Sequence, residues 1–431
     1  MLRSVLPLSF IVGNRFFGIF IVLPVLSLYA LELDGANEKL VGFLIGGYAI
    51  TQMIFQVPFG TLSDKIGRKK TLTLGLIIFI IGSFVCGYAN DIYTMIFGRL
   101  LQGVGAIGAV STAMISDYTT EENRSKAMAI MGIFIGTAFS ASMVLSPILS
   151  QKWGIGGLFL LSGALSIFCI FLLFTAVPKE NKIVAEDSEK VAFSKLIFQK
   201  DLFIINFTNL MQKMLTSIAF LAIPIVLVKE LGYIQAGLWK VYAISTVFGF
   251  IAMGLGGFLG DGKGLSKSIL LSGVLLFILA YSFFSFAPSA MIFMVGVVIF
   301  FVGFNLHEPI LQSCATKFVK AKQKGTALGI FNSFGYFGSF IGGIFGGYIL
   351  HHYSMFELSI ICVILCTFWF ILLLALKDPR VFKNLYFEKN VSLKTLDGLT
   401  GIFDRFSTSK ANVVKYDSTI LNENDIKKAI E

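Results

Sequence analysis

GTLSDKIGRKK, residues 60–70, sets five charged side chains into eleven positions of a chain that is 56% hydrophobic. Apolar runs long enough to cross a bilayer flank it on both sides, so it reads as a short polar turn between two spans. The rest of the chain repeats that pattern. Over 431 residues only 14% are charged and mean hydropathy is +0.82, far from a soluble globular chain. Backbone polar groups find no partner in lipid, so a span is a helix or part of a closed barrel, and continuous apolar runs select helices. Working outward gives twelve spans: 4–29, 39–60, 71–89, 91–116, 126–149, 156–177, 202–228, 236–259, 268–287, 290–315, 325–350 and 355–376. The first is too long for a cleavable signal and reads as a retained helix.

A net charge of +10 raises nucleic acid as a partner, but its placement argues for topology instead. With the amino terminus inside, Arg3, Lys65, Arg68, Lys69, Lys70, Arg124, Lys126, Lys263, Lys267, Lys317, Lys320, Lys322 and Lys324 fall on the inner side, against Lys39, Lys152 and Lys229 outside. That asymmetry predicts a multi-pass protein of the cell inner (plasma) membrane with both termini cytoplasmic, a lipid bilayer as its surroundings and no nucleic acid. The five cysteines lack metal-ligand or disulfide spacing. Nothing calls for a metal or a cofactor, and no nucleotide loop or nucleophilic triad suggests an enzyme. GGIFGG at 342–347 lies inside a span and reads as a site of close helix packing.

The polar stretch 178–201 separates six spans (1–177) from six (202–376). Gly60, Leu62, Asp64, Gly67 and Lys70 recur as Gly257, Leu259, Asp261, Gly264 and Lys267, which points to a parallel internal repeat with the substrate between the halves. After residue 376 the composition changes. NLYFEKNVSL and ANVVKYDS read as strands, KTLDGLTGIF and NENDIKKAI as helices, with a further strand near 402–408. Residues 380–431 thus form a small β-α-β-β-α domain, suited to binding a cytoplasmic ligand, docking on the transporter or self-association.

Arg15, Arg99, Lys213 and Glu308 lie well inside spans. Facing lipid, each would cost roughly 2.5–3.5 kcal/mol, so they face the interior. Asn206, Asn209, Lys213 and Thr216 share one helix face, as do Asn305, Glu308 and Gln312, and two such stripes would line a cavity. A carboxyl between wet and dry surroundings can load a proton on one side and release it on the other, which makes Glu308 the preferred proton site. The alternative is a fixed Glu308–Lys213 ion pair. Lys213 could also hold an anionic substrate. Arg15 is assigned either to the cavity or to neighbouring backbone, and Arg99 with Gln102 to helix packing and coupling.

The string G-x-L-x-D-x-x-G-R-K-K resembles motif A of the major facilitator superfamily, and RLLQGVGAIGA, with Arg99, Gln102, Gly103 and Gly105, resembles motif B. GIFIVLPVL in the first helix is similar to drug/proton antiporters. The fifth helix keeps Pro147 but has Ser146, Leu149 and Ser150 where that branch carries glycine, so this segment speaks for the fold and not for antiport. ASMVLSPIL, FFVGFNLHEPIL and the tail resemble YajR-type transporters, which carry a small ferredoxin-like YAM domain. The resemblance implies twelve helices in two six-helix bundles plus an α+β ferredoxin-like tail. It also implies a latch, in which Asp64 touches the start of a helix in the other half while Arg68 pairs with Asp117, flanked by Gly60 and Gly67. The function implied is proton-coupled transport by alternating access, as an exporter of small amphipathic compounds. Its alternatives are an anion or metabolite uptake symporter, and a membrane sensor reading a signal through the tail.

Overall fold

Apolar runs without β-branched alternation become helices whose length matches a bilayer, and the computed structural model is built almost wholly of them. It describes residues 2–119, 121–178, 196–388, 396, 399–407 and 411–430. The helices are α1 Leu2–Phe20, α2 Leu23–Ala30, α3 Glu38–Ile66, α4 Arg68–Gly87, α5 Ile92–Val104, α6 Gly108–Asp117, α7 Glu121–Thr175, α8 Lys200–Ile225, α9 Leu238–Gly257, α10 Ser266–Ser285, α11 Ala290–Lys317, α12 Lys324–His352, α13 Met355–Leu374 and α14 Glu423–Ile430. Most of the 178–201 linker lies outside the described residues.

The first span is two helices, because Pro24 cannot donate into the ladder and instead opens the first turn of α2. The fourth breaks at Gly105–Ile107, where Gly105 comes against the carbonyl of Gly75. The fifth and sixth run on as α7, whose 55 residues would reach roughly 80 Å if straight. Phe10 meets both Phe134 and Phe168 edge-on at 6.4 Å, so α7 doubles back, at Gly154 with φ +65°. Eleven stretches among the described residues are long and apolar enough to span a membrane, and this doubled one makes twelve crossings. The turn at residues 60–70 is shorter than the sequence suggests: α3 continues to Ile66, and Gly67 (φ +99°) alone reverses the chain.

Two six-helix bundles, α1–α7 and α8–α13, meet along α3 and α12. At one end the backbones touch: a Cβ on Gly42 would lie 2.2 Å from the Gly343 carbonyl oxygen, and one on Gly347 2.5 Å from that of Glu38. Tyr242 donates to the Pro24 carbonyl at 3.2 Å nearby. Five helical turns along the same face of each helix stand Gly60 and Gly325, where a Cβ would meet nothing within 4 Å. The seam is therefore shut at the Gly42 end and open at the basic end, the end of the 60–70 turn.

The tail has strands β1 Phe382–Phe387, β2 Ile402–Ser407 and β3 Asn412–Asp417 in the order β1-β3-β2, both pairings antiparallel. β1 and β2 are thus parallel to each other, and their link must cross the sheet, as a β-α-β unit does. Of the helix expected over 394–403, residues 394, 395, 397 and 398 lie outside the described residues, and its end is corrected: after Gly401 (φ +106°), Ile402 and Phe403 are strand. Leu396, Val414, Tyr416, Leu421 and Ile426 form the small core. The tail clasps the α11–α12 loop: Asp404 accepts from the Ala321 N–H at 2.7 Å, and Phe382 meets Phe318 edge-on at 5.8 Å.

Candidate functional site

Lys213 of α8 and Glu308 of α11, both in the second half, form an ion pair with each other, each side chain 30% exposed. The ammonium also lies 4.9 Å from the Phe304 ring centroid. The rest of the two expected stripes does not gather around this pair. Asn209 is buried and donates to the Phe331 carbonyl of α12 at 2.7 Å. Asn206 is buried too, and its amide has no partner among the described residues. Thr216 and Asn305 bond carbonyls of their own helices, at Gln212 and Phe301, and Gln312 is exposed. His307 points away from Glu308, holding the Leu270 carbonyl at 2.8 Å and packing on Phe277 and Trp369. The two stripes meet at one ion pair rather than along their length.

In the first half, Arg15 is 1% exposed; its Nη2 donates to Gln52 Oε1 at 3.3 Å, and Gln52 in turn donates to the Tyr336 hydroxyl of α12 at 2.7 Å. Arg99 donates to Gln102 at 2.8 Å and lies over the Tyr48 ring at 4.6 Å, while Gln102 donates to Ser83 of α4 at 2.8 Å. These contacts tie α5 to α3 and α4. Gly103 belongs to the same junction, since a Cβ there would come 2.1 Å from the Tyr48 carbonyl oxygen.

A row of rings joins the two halves. Arg15 lies 5.9 Å from Phe16, which stacks on Phe20 at 5.6 Å; Phe20 meets Phe139 of α7 at 5.3 Å, and Phe139 meets Phe304 at 5.8 Å. Sequence reasoning missed this row, along with Gln52, Tyr48 and Tyr336. Gln52, one of two glutamine amides in the apolar run of α3, was the legible signal among them.

At the basic end, Arg68 donates to Asp117 at 3.0 Å and to Asp64 at 2.5 Å. The Asp64 side chain is 61% exposed and meets Arg68 of its own half; among the described residues it makes no ion pair with the other half in this open arrangement. Lys69 donates to the Val177 carbonyl at 2.7 Å, and Lys267 to those of Leu374 and Leu376 at 2.8 and 2.7 Å. Each lysine caps the carboxyl end of its half's last span. The repeat thus equates Lys267 with Lys69 in this role, one residue from the sequence pairing with Lys70, while Gly67 and Gly264 (φ +73°) match as aligned.

Twelve crossings in two bundles, a mid-depth ion pair and a seam open at one end define a membrane transporter and not an enzyme. The Major Facilitator Superfamily profile matches residues 8–342 and 202–405, and the chain belongs to that family. It is 34% identical to the inner membrane transport protein YajR of Escherichia coli (strain K12), over 99% of this chain and 97% of that one. It is 24% identical to the quinolone resistance protein NorA of Staphylococcus aureus (strain Mu50 / ATCC 700699), over 80% and 90% respectively. A crystal structure of the nucleoside transporter NupG shares the fold, with a TM-score of 0.71 at 15% identity over 86% of this chain and 98% of that one.

Proposed function

We propose that this chain is a proton-coupled secondary transporter of the inner membrane that exports small amphipathic compounds by alternating access. The observation that carries this reading is the partly exposed Lys213–Glu308 pair of the second half, beside a seam that is closed at one end and open at the other. With both termini cytoplasmic, as the lysine and arginine distribution favours, the open end faces the cell interior. In that arrangement Glu308 has given its proton inward and is held by Lys213. When the far end opens, a proton from outside takes the place of Lys213 on the carboxylate, and the two states differ in charge at mid-depth. Asp64, Arg68 and Asp117, with Gly60 and Gly67, form a latch that engages the other half on closure. Similarity to a quinolone resistance protein supports the outward direction.

Inverted vesicles with an acidified interior test this. Addition of a panel of amphipathic compounds should release protons from wild-type vesicles for at least one member, with a smaller response in Asp64→Asn. Proton-independent uptake of the same compounds would refute it. Deleting residues 380–431 separates transporter from sensor, since a transporter keeps flux without its tail.

A further inference from the structure

We propose that the substrate is an amphipathic anion, its charged group held by Arg15 and its apolar body laid along the Phe16–Phe20–Phe139–Phe304 row. The proposal rests on the transporter reading above and names the chemistry of its cargo. A buried guanidinium is costly unless paired and fully hydrogen-bonded. Arg15 is neither: among the described residues its Nε and Nη1 have no partner, and the titratable groups acting on it are Tyr336 and Tyr48. Arg99 is in the same position, with Cys86 and Tyr48 as its titratable neighbours and Nε and Nη2 unpartnered. The other half balances Lys213 with Glu308. The interior therefore holds two guanidinium charges that no carboxylate offsets among the described residues, which attracts an anion and repels a cation.

The rings supply the second requirement. They run without a gap from Arg15 on one half to Lys213 on the other, at centroid separations of 5.3–5.8 Å, and Phe16, Phe20 and Phe139 are half-buried. Such a row suits a flat apolar body with one charged end. The bond that the ligand replaces is Arg15 Nη2 to Gln52, 3.3 Å long and weak for a charged donor. Lys213, paired with Glu308, stands at the far end of the row, 4.9 Å from the Phe304 ring centroid.

The test is binding to the purified full-length chain in lipid nanodiscs, by calorimetry at neutral pH. The probes are paired benzene, naphthalene and anthracene carboxylates and methylammonium ions. Carboxylates should bind more tightly than their paired amines by roughly tenfold or more, with Arg15→Gln removing that preference and Arg15→Lys keeping part of it. Amines binding as well as carboxylates, neither series binding, or Arg15→Gln leaving a folded protein with full carboxylate affinity would each overturn the proposal. The wild-type comparison needs no variant to fold. Carboxylate binding without proton movement would sink the coupling reading and leave the anion site standing; proton movement driven by amines alone would do the reverse.

Discussion

Gln52 of α3 donates a 2.7 Å hydrogen bond to the Tyr336 hydroxyl of α12, joining the two halves at mid-depth beside the buried Arg15. On the Gly42 side of this bond the two helices are in close contact at Gly42, Gly46 and Gly347, and the same faces stand apart at Gly60 and Gly325. The bond thus sits where the seam parts.

Tyr336→Phe leaves the Gln52 amide without that acceptor, at a cost of about 1 kcal/mol to the arrangement seen here. Spin-label distances across the basic end should then show the closed population rising roughly fivefold.

Gly42→Val is expected to act in the same direction and more strongly, because its Cβ would lie 2.2 Å from the Gly343 carbonyl oxygen. The far end cannot then shut. Cysteine labelling near residue 42 should become fast and transport should stop, while α-helical content stays unchanged.

Lys267→Met removes two bonds to the carboxyl end of the last span, and Lys69→Met one bond to the end of the sixth. Each variant should lose about 1–2 kcal/mol of stability, read as a lower Tm in detergent.

The tail's grip on the α11–α12 loop should depend on pH. Lys415 is 7% exposed and donates to the carbonyls of Lys317 and Val319 at 2.5 and 2.9 Å. Burial, helped by the ammonium groups of Lys324 and Lys317, pushes its pKa down to about 8. Released into water, Lys415 regains the ordinary, higher lysine value and binds its proton more readily than when docked. Docking is therefore penalised below about pH 8 and strengthens as pH rises from there toward the ordinary value. Hydrogen exchange over residues 402–417 should slow across that window, and Lys415→Met should abolish the slope.

The spans were legible because lipid demands long unbroken apolar runs, and the 60–70 turn because charges have nowhere else to go. Finer features depended on single residues. The break before Pro24 interrupts a run that stays apolar throughout, and the doubling of α7 turns on Gly154 within continuous helix. Lys213 and Glu308 stood out as charges in apolar surroundings. Asn206 and Asn209 share their helix face, yet Asn209 is drawn off to the Phe331 carbonyl of α12. The route from Arg15 through Gln52 to Tyr336 joins three distant segments, and the aromatic row is hidden among 45 phenylalanines. In the tail, residues 402–403, expected as the end of a helix, belong instead to β2, because the positive φ of Gly401 makes a turn into that strand.

The central claim is that Glu308 exchanges Lys213 for a proton during transport. Proteoliposomes carrying Glu308→Gln, loaded with a transported compound, give the most direct test. Exchange of labelled for unlabelled compound should persist while accumulation driven by an imposed pH gradient disappears. Gradient-driven accumulation at the wild-type level would contradict it and leave the Lys213–Glu308 pair as a fixed structural contact.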